Sequence, residues 1–344
     1  MTERIASGTS LTRAESREVL AELLSGRVPD QEIVALLAAL RDKGETAEEV
    51  IGFAEVMRER AAETLRDEGV NLDEISKRGP LLDTCGTGGD GKGSFNVSTA
   101  AALVAAAAGV RVAKHGNRSI SSRCGSADVL RELGVKIDMP LAQIPACLEQ
   151  VGMVFLFAPH LHLAMKKVMN ARKSLKTKSV FNLLGPLTNP LRATVQLVGI
   201  YDRSRLSLMA EALMAVGTRR AFVVASHDEE DEISTTGPTS AMELDGDDIQ
   251  RREFSPEDFG LATSPAGSVR GGDAAFNADL LKRVLEGERS PYRDAVIVNA
   301  SAALVAAGKA AEFREGAGIA AETIDSRRAQ RTMAALVAFT QRTP

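Results

Sequence analysis

The chain has 344 residues, 44% hydrophobic and 26% charged, a composition typical of a globular protein with two domains or one large domain and an appendage. The net charge of −4, the lack of tryptophan and an aromatic content of 4% argue against a nucleic-acid binder. The polar start, the absence of a long apolar run and three cysteines without a CxxC pair disfavour a signal peptide, a membrane span and a disulfide framework. We therefore expect a cytoplasmic protein without membrane or nucleic-acid partners.

Residues from about 10 to 66 show helical patterns only. The apolar spacing of LTRAESREVLAELLSG predicts a helix that stops at Gly26. DQEIVALLAALRDKG repeats the pattern, with Asp30 as the expected N-cap and Gly44 as the stop, and a third helix should follow the cap Thr46. These patterns predict an N-terminal helical domain over residues 1–75.

Beyond Pro80 the pattern becomes that of a parallel α/β domain. The apolar run LLDTC precedes a glycine-rich loop, a helix expected to be capped by Ser98 or Thr99 and to end at Gly109, and a second apolar run, VRVAKHG. This order forms a βαβ unit, which requires parallel strands. Further strands are predicted at GMVFLFA, TVQLVGIY, RAFVVAS and DAVIVNA, the last followed by a helix over SAALVAAGKAAEF.

The predicted fold is α/β, with a small N-terminal helical domain and a larger α/β domain over residues 76–344. The sheet of the larger domain should be mainly parallel and flanked by helices. Residues from about 160 to 185 interrupt the strand pattern with a basic, helix-forming segment. We expect this segment to pack back on the helical domain.

The stretch LLDTCGTGGDGKGSFNVST, residues 81–99, places five glycines between a strand and a helix. The N–H groups of such a loop, together with the helix N-terminus, bind phosphate oxygens. The loop matches GxGxxG, but the second strand ends in Lys114-His115-Gly116, without the acid that a dinucleotide's ribose needs. The P-loop pattern also fails, because Gly93 stands where a magnesium-binding hydroxyl is required. A phosphate site of another kind is favoured over a purely structural turn.

A second loop of the same character follows the next strand, from Lys114 to Ser126 (KHGNRSISSRCGS). It is basic and rich in hydroxyl groups, which suits a pyrophosphate, although a solvated basic turn can look the same. Two such loops at the ends of neighbouring parallel strands favour one joint anion site.

These motifs resemble those of the anthranilate phosphoribosyltransferases of tryptophan biosynthesis. The resemblance covers nearly the whole chain and rests on GTGGD, SFNVST, KHGNRSISSRCGSADVLRELG, VFNLLGPLTNP, DEISTTGPT and RGGDAAFNA. It implies a fold of the nucleoside-phosphorylase type and a homodimer that contacts through the helical domain. It also implies transfer of the 5-phosphoribosyl group of phosphoribosyl pyrophosphate to the amino group of anthranilate, with Mg²⁺ as cofactor.

The resemblance further implies which residues form the site. Phosphoribosyl pyrophosphate is expected to contact Gly86, Gly89, Asp90, Ser94, Asn96, Val97, Ser98 and Thr99 around the first loop, and Lys114, His115, Gly116, Asn117, Arg118, Ser119, Ile120, Ser121, Ser122 and Ser126 in the second. Anthranilate is expected to contact Gly86, His115, Asn117 and Arg172, whose planar guanidinium suits a carboxylate. Mg²⁺ is expected at Ser98, Asp231 and Glu232.

Four positions depart from the family pattern. Leu163 stands where proline is usual, Lys176 and Lys178 where glycine and arginine are common, and Ser240 where a basic residue is frequent. The sequence leaves their effect on the affinity for the acceptor open.

Several other residues with chemical potential have milder interpretations. His160 and His162 form an HxH pair without further ligands at zinc spacing, so we expect them to line or support the acceptor's entrance. Cys85 and Cys124 are expected to be packing residues rather than nucleophiles. The acids Asp228, Glu229 and Glu230, which precede the expected Mg²⁺ ligands, should contribute only field and solvation.

Two other functions remain open at this point. A pyrimidine nucleoside phosphorylase would share the fold and the glycine loop, but its basic loop has a serine after Lys-His, where this chain has Gly116-Asn117. A non-catalytic, nucleic-acid-binding relative of the same fold would be expected to lose Asp231 and Glu232 or to gain basic surface.

Overall fold

The computed structural model describes residues 1–88, 93–119 and 123–342. Among these residues, the N-terminal part contains only helices, as the sequence predicts. Their bounds are α1 Thr2–Ala6, α2 Arg13–Ser25, α3 Asp30–Lys43, α4 Ala47–Asp67 and α5 Leu72–Lys77.

Local capping explains where two of the three main N-terminal helices, α2 and α4, begin. Thr12 and Thr46 each accept a hydrogen bond from the main chain of a glutamate three residues later, and that glutamate's carboxylate accepts one in return. The prediction for α3 was wrong by one position, because Pro29 is its N-cap and Asp30 is its first residue. An acid in the first turn still favours the helix through the dipole.

The described residues contain one seven-stranded sheet. Its strands are β1 Leu82–Gly86, β2 Val112–Gly116, β3 Met153–Phe157, β4 Val195–Gly199, β5 Arg220–Ser226, β6 Thr239–Asp245 and β7 Asp248–Phe254. Their order in the sheet is β3-β2-β1-β4-β5-β6-β7. The first five strands are mutually parallel, and β6 and β7 form an antiparallel hairpin at one edge. The predicted α/β fold with a mainly parallel sheet is confirmed.

The remaining helices connect and cover the strands. Short 3₁₀ turns lie at Leu141–Gln143, Leu163–Lys167, Arg203–Arg205 and Pro256–Phe259. The α-helices are α6 Val97–Ala107, α7 Ser126–Glu132, α8 Ile144–Val151, α9 Ala158–Leu161, α10 Met169–Leu175, α11 Val180–Leu187, α12 Leu206–Ala215, α13 Ala274–Leu285, α14 Pro291–Ala306, α15 Phe313–Asp325 and α16 Arg328–Thr340.

The prediction of a strand at DAVIVNA (294–300) was wrong, because these residues lie in the middle of α14. A continuous apolar run does not distinguish a buried strand from a helix that is buried all round. Every residue of α14 from Ala295 to Ala306 is buried, so the run has no polar face. The helix start was readable, since Ser290 caps it and Pro291 is its first residue.

Two further differences concern element ends and an edge hairpin. Asn96, rather than Ser98 or Thr99, is the N-cap of α6, so both predicted caps lie in its first turn. The hairpin of β6 and β7 went unpredicted, although its two-residue turn, Gly246-Asp247, follows Asp245 and has Gly246 at φ 64°. A positive φ at this point is typical of tight hairpin turns.

Alternation along the central strands divides the core between the two faces of the sheet. In β5, Phe222 and Val224 face one apolar cluster, whereas Ala221, Val223 and Ala225 face the other. Helices α6, α14, α15 and α16 contribute to the first cluster. Helices α11 and α12 contribute to the second cluster, and so do α2, α3 and α4.

The basic segment that interrupts the strand pattern lies in the second cluster. Val168 and Ala171 are fully buried there, together with Leu36 and Leu40 of α3. The N-terminal helices therefore share a continuous apolar core with one face of the sheet. In the described part of the chain, no helix combines the length and apolar character that crossing a membrane requires.

Candidate active site

A cavity of about 520 Å³ opens at the carboxyl ends of the parallel strands. It lies where β1 and β2 end and beside the loop that follows β5, the usual position of a ligand in an open parallel sheet. We call it the central cavity. The predicted site residues that line it are Gly86, Ser94, Asn96, Ser98, Lys114, His115, Gly116, Asn117, Arg118, Ser119, Ser126, Arg172, Asp231 and Glu232.

Two predicted contacts do not line the cavity. Val97 and Thr99 are fully buried in the first turn of α6, on either side of Ser98, which does line it. Successive residues of a helix point in different directions, so neighbours of a cavity-lining residue turn away from it. Gly89, Asp90, Ile120, Ser121 and Ser122 lie outside the described residues.

Two glycines make room for the loop that carries the predicted metal ligands. A Cβ at Gly86, the last residue of β1, would overlap the carboxylate of Asp231. A Cβ at Gly199, the paired last residue of β4, would overlap the main-chain carbonyl of Asp231. The N–H of Gly88 donates to Oδ2 of Asp231 over 2.8 Å. These contacts hold the glycine-rich loop against the loop that carries Asp231 and Glu232, which we call the acidic loop, at the carboxyl end of the parallel strands.

The motif RGGDAAFNA buttresses the start of α6. Asn277 donates from Nδ2 to Oδ1 of Asn96 over 3.0 Å, and its own Oδ1 accepts from the N–H of Gly272 over 2.7 Å. A Cβ at Gly271 would approach the carbonyl oxygen of Ser94 to 2.7 Å. Sequence reasoning identified this motif only through the resemblance. In the structure the motif supports the chain at Ser94 and Asn96, where the glycine-rich loop ends.

Lys114 is a buried lysine that lines the central cavity. Its Nζ donates to the carbonyl oxygen of Thr84 and lies 3.3 Å from Oγ of Ser98. Burial lowers the pKa of Lys114, and the nearby carboxylate of Asp83 opposes this shift. Asp83 is itself fully buried, where it accepts hydrogen bonds from the N–H of His115 and from Nδ2 of Asn189. Burial raises the pKa of Asp83, against the effect of Lys114.

His115 and His162 form a buried pair on the wall of the cavity. Their Nε2 atoms are 3.3 Å apart, and Nδ1 of His115 lies 3.1 Å from the carbonyl oxygen of Gly185. Since a carbonyl only accepts, Nδ1 of His115 carries the proton and its Nε2 accepts from His162. Burial lowers the pKa of both rings, that of His162 to about 3 with a further contribution from His115. The pair is therefore neutral at physiological pH. His160 lies outside the cavity, edge-on to Phe157.

Arg172 lines the cavity beside the apolar side chain of Phe181. Its guanidinium carbon is 4.9 Å from the centre of the Phe181 ring, and burial lowers its pKa. Met165 and Met169 line the same cavity. Sequence reasoning missed these apolar residues because methionine and phenylalanine in a helical segment also occur in any core. A cation beside a flat apolar slot suits a small aromatic carboxylate.

The four departures from the family pattern lie outside the cavity lining. Leu163 is 46% exposed, and Lys176 adopts φ 51° at the end of α10, a conformation that favours glycine. Nζ of Lys178 lies 3.0 Å from the centre of the Tyr201 ring, and Oγ of Ser240 lies 3.1 Å from Nε2 of His227.

Ser98, Asp231 and Glu232 are three oxygen-bearing side chains that line one cavity, which fits the preference of Mg²⁺ for oxygen ligands. Within residues 1–88, 93–119 and 123–342 there is no group of three His, Cys, Asp or Glu residues placed to bind a metal. Mg²⁺ commonly uses one or two carboxylates together with water and substrate phosphates, a number that Asp231 and Glu232 can supply.

Asp228 has a structural role that the sequence prediction did not foresee. Its carboxylate accepts hydrogen bonds from Oγ of Ser234, over 3.0 Å, and from Oγ1 of Thr236. The prediction that Asp228 contributes only field and solvation was therefore wrong, because its carboxylate forms hydrogen bonds with two other residues of the acidic loop.

The two cysteines behave as predicted for packing residues. Cys85 and Cys124 are buried free thiols, and burial raises the pKa of both.

Two family models together span most of the chain. The helical bundle domain of a glycosyl transferase family matches residues 1–61, and the a/b domain of a glycosyl transferase family matches residues 78–330.

Named relatives match over nearly their whole length. An anthranilate phosphoribosyltransferase of Geobacter sulfurreducens is 45% identical over 341 residues, 98% of this chain and 97% of the relative. One of Solibacter usitatus is 47% identical over 336 residues, 98% of this chain and 96% of the relative.

Solved structures of anthranilate phosphoribosyltransferases also resemble this chain. The crystal structure of the Thermus thermophilus anthranilate phosphoribosyltransferase has a TM-score of 0.89 and 39% identity, covering 99% of both chains. The Saccharomyces cerevisiae enzyme in complex with PRPP and Mg has a TM-score of 0.86 and 25% identity, covering 98% of this chain and 96% of that one. By its fold, the geometry of its central cavity and these relatives, the chain belongs to the anthranilate phosphoribosyltransferase family.

Proposed function

We propose that this chain transfers the 5-phosphoribosyl group of phosphoribosyl pyrophosphate to the amino group of anthranilate. The bond between the sugar's anomeric carbon and the pyrophosphate oxygen breaks, a carbon–nitrogen bond forms, and the amine loses a proton. The observation that carries the proposal is that one cavity is lined both by two anion-type loops and by apolar side chains beside a half-buried arginine, Arg172. This arrangement suits a donor rich in phosphate and a flat acceptor with one carboxylate.

The donor would occupy the side of the cavity formed by the two loops. The hydroxyl-bearing residues Ser94, Ser98 and Ser126 line this side and would contact phosphate oxygens, while Arg118 would supply a cation. Asn117 and His115 also line the cavity and would lie between the donor and the acceptor. Mg²⁺, held by Ser98, Asp231 and Glu232, would neutralise charge on the leaving pyrophosphate. The relative crystallised with PRPP and Mg supports this cofactor.

The acceptor would occupy the slot between Arg172 and the methionines. The guanidinium would bind the carboxylate of anthranilate, and the ring would lie against apolar side chains. The amine then points towards the donor, so the protein accelerates the reaction mainly by placing the two reactants in line. A relative crystallised with 4-fluoroanthranilate supports an acceptor of this kind. Because the amine is the nucleophile, no activated serine or cysteine is required.

We further propose a homodimer that works in the cytoplasm. The resemblance to the family supports the dimer, and three buried free thiols fit a reducing compartment. The division of the chain between residues 75 and 76 stays a prediction, which the matches to separate helical and a/b family models support.

Product analysis separates this proposal from the phosphorylase alternative. The enzyme is incubated with phosphoribosyl pyrophosphate, Mg²⁺ and anthranilate, and pyrophosphate release is measured. We expect release to depend on anthranilate and to match the amount of phosphoribosyl-anthranilate formed. A parallel incubation with uridine or thymidine and inorganic phosphate should yield no free base. Free base without pyrophosphate release would support a phosphorylase instead.

A further inference from the structure

The loop that carries Asp231 and Glu232 depends on neighbouring elements for its conformation. It follows β5 and precedes β6, and residues 227–238 belong to neither a helix nor a strand. Main-chain groups in such a loop need hydrogen-bond partners when they are buried. Ile233, the next residue after the carboxylate pair, is 2% exposed. Its N–H belongs to the peptide bond that joins it to Glu232, so a group that binds this N–H restrains the main chain directly after Glu232.

The partner of this buried peptide is a single side chain on α14. Oδ1 of Asn299 accepts from the N–H of Ile233 over 3.1 Å, and Nδ2 of Asn299 donates to the carbonyl oxygen of Ile233 over 3.0 Å. Asn299 is itself 2% exposed. The amide thus pairs with both main-chain groups of one residue, as a neighbouring strand would.

A third hydrogen bond fixes the orientation of the amide. Nδ2 of Asn299 also donates to the carbonyl oxygen of Ala295, four residues earlier on the same helix, over 2.9 Å. Rotating the amide by 180° would set Nδ2 against an N–H and Oδ1 against two carbonyls, so only one orientation satisfies all three partners. An aspartate could not make the two donations. The hydrogen bond to Ala295 also depends on the helical conformation of α14, because it spans one helical turn.

The carboxylate pair is therefore held from two sides. On the cavity side, Asp231 accepts from the N–H of Gly88 and fits against Gly199. On the core side, Asn299 holds the main chain immediately after Glu232. We propose that Asn299 is a positioning residue, which holds Asp231 and Glu232 where they can bind Mg²⁺ together with the donor's pyrophosphate. This inference rests on the proposed function.

The test measures donor binding rather than turnover. Phosphoribosyl pyrophosphate is titrated into the enzyme by calorimetry at several Mg²⁺ concentrations, without anthranilate. For Asn299→Ala we expect the Mg²⁺ concentration for half-maximal donor binding to rise about tenfold, as for the loss of one well-placed buried hydrogen-bonding group. The KM for anthranilate, measured at saturating Mg²⁺, should change less than about twofold, since the acceptor slot is untouched.

Ser301→Ala is the matched control. Ser301 is also buried on α14, and its Oγ donates to the carbonyl oxygen of Phe313 over 2.6 Å, away from the acidic loop. This variant should lose stability without changing the Mg²⁺ dependence. Asn299→Ser is made alongside, because its hydroxyl keeps a polar group in the buried site if alanine prevents folding, and the same increase is expected.

The outcomes separate the inference from the proposed function. If the unaltered enzyme binds the donor with Mg²⁺ and the folded Asn299 variants show the same Mg²⁺ dependence as Ser301→Ala, the positioning role is overturned and the proposed function stands. If the unaltered enzyme does not bind the donor at any Mg²⁺ concentration, the proposed function itself fails.

Discussion

At the scale of single residues, Arg172 carries the expected recognition of the acceptor. Replacing it with alanine removes a charge-assisted hydrogen bond worth about 1.5–3 kcal/mol, so the KM for anthranilate should rise about 10- to 100-fold. The KM for phosphoribosyl pyrophosphate should change much less, because Arg172 lies on α10 beside Phe181 and belongs to neither of the two anion-type loops. Steady-state kinetics with each substrate varied in turn checks this.

Lys173→Ala is the control for that experiment, since Lys173 follows Arg172 on the same helix, is exposed and does not line the cavity. It should leave both KM values near those of the unaltered enzyme. Equal increases in both KM values for Arg172→Ala would contradict the assignment.

Asp231 and Glu232 should set the requirement for Mg²⁺. The double variant Asp231→Asn with Glu232→Gln keeps the shape of both side chains and removes both charges. We expect the Mg²⁺ concentration for half-maximal activity to rise at least about tenfold. Glu229→Gln with Glu230→Gln removes the same number of charges from the same loop outside the cavity lining. An equal Mg²⁺ titration for the two double variants would refute the metal assignment.

The buried histidine pair predicts how stability depends on pH. The pKa of His162 is about 3 in the folded chain because of burial and of His115, whereas an unfolded histidine titrates near 6.5. Below about pH 6.5 the unfolded chain therefore binds a proton that the folded chain does not, so the free energy of unfolding falls as the pH is lowered. His162→Gln should reduce this slope, by up to about 1.4 kcal/mol per pH unit.

Urea unfolding at about pH 7, 6 and 5 measures this slope. His160→Gln is the comparison, because that ring is half-buried and lies outside the cavity. It should retain the slope of the unaltered enzyme. An unchanged slope in His162→Gln would show that the ring does not resist protonation in the folded protein.

Sequence reasoning identified the polar residues of the site better than its apolar residues. Glycines, hydroxyls and charges in two loops are unusual enough to indicate an anion site, and the resemblance then supplied their roles. Met165 and Phe181 carry no such signal, because the same residues fill ordinary cores. Asn299 was equally hidden, since only the tertiary structure brings α14 beside the acidic loop.

At the scale of elements, the packing of α14 against α15 makes a sharp prediction from two glycines of one helix. A Cβ at Gly316 would lie 2.6 Å from Oγ and 2.9 Å from the carbonyl oxygen of Ser301, so Gly316→Ala should destabilise the protein by about 1–3 kcal/mol. Gly318 is exposed, with nothing within 4 Å of the same position. Gly318→Ala should stabilise by about 0.5–1 kcal/mol, because alanine loses less backbone entropy in a helix.

The free energy of unfolding in urea compares the two variants directly. Since the residues are two positions apart on one helix, differences in helix propensity cancel and only the packing differs. Destabilisation of similar size in both variants would contradict the close fit of α14 against α15 at Ser301.

Elements with a clear signal were predicted, and those with an ambiguous signal were not. The five parallel strands are short apolar runs beside turn residues, and they were all found. Residues 294–300 are equally apolar but lie in α14, where burial on every side removes the periodicity that would reveal a helix. The edge strand β7 is mostly exposed and charged, so it shows little hydrophobic alternation.

At the scale of the whole molecule, the sheet organises both the core and the site. Its two faces bury two apolar clusters, and the N-terminal helices extend one of them. The central cavity takes Met57 from α4 as well as loops from the sheet's carboxyl edge. The helical part therefore helps to build the cavity, which the separate sequence patterns of the two domains could not establish.

The central claim is that this one cavity brings phosphoribosyl pyrophosphate and anthranilate together. The most direct measurement follows the fluorescence of anthranilate in the presence of the enzyme, with phosphoribosyl pyrophosphate and Mg²⁺ supplied together or omitted one at a time. We predict that the fluorescence falls only when both are present, and that Arg172→Ala slows the fall at low anthranilate. Unchanged fluorescence in the complete mixture, with donor binding still detectable by calorimetry, would contradict the claim and point to a different acceptor.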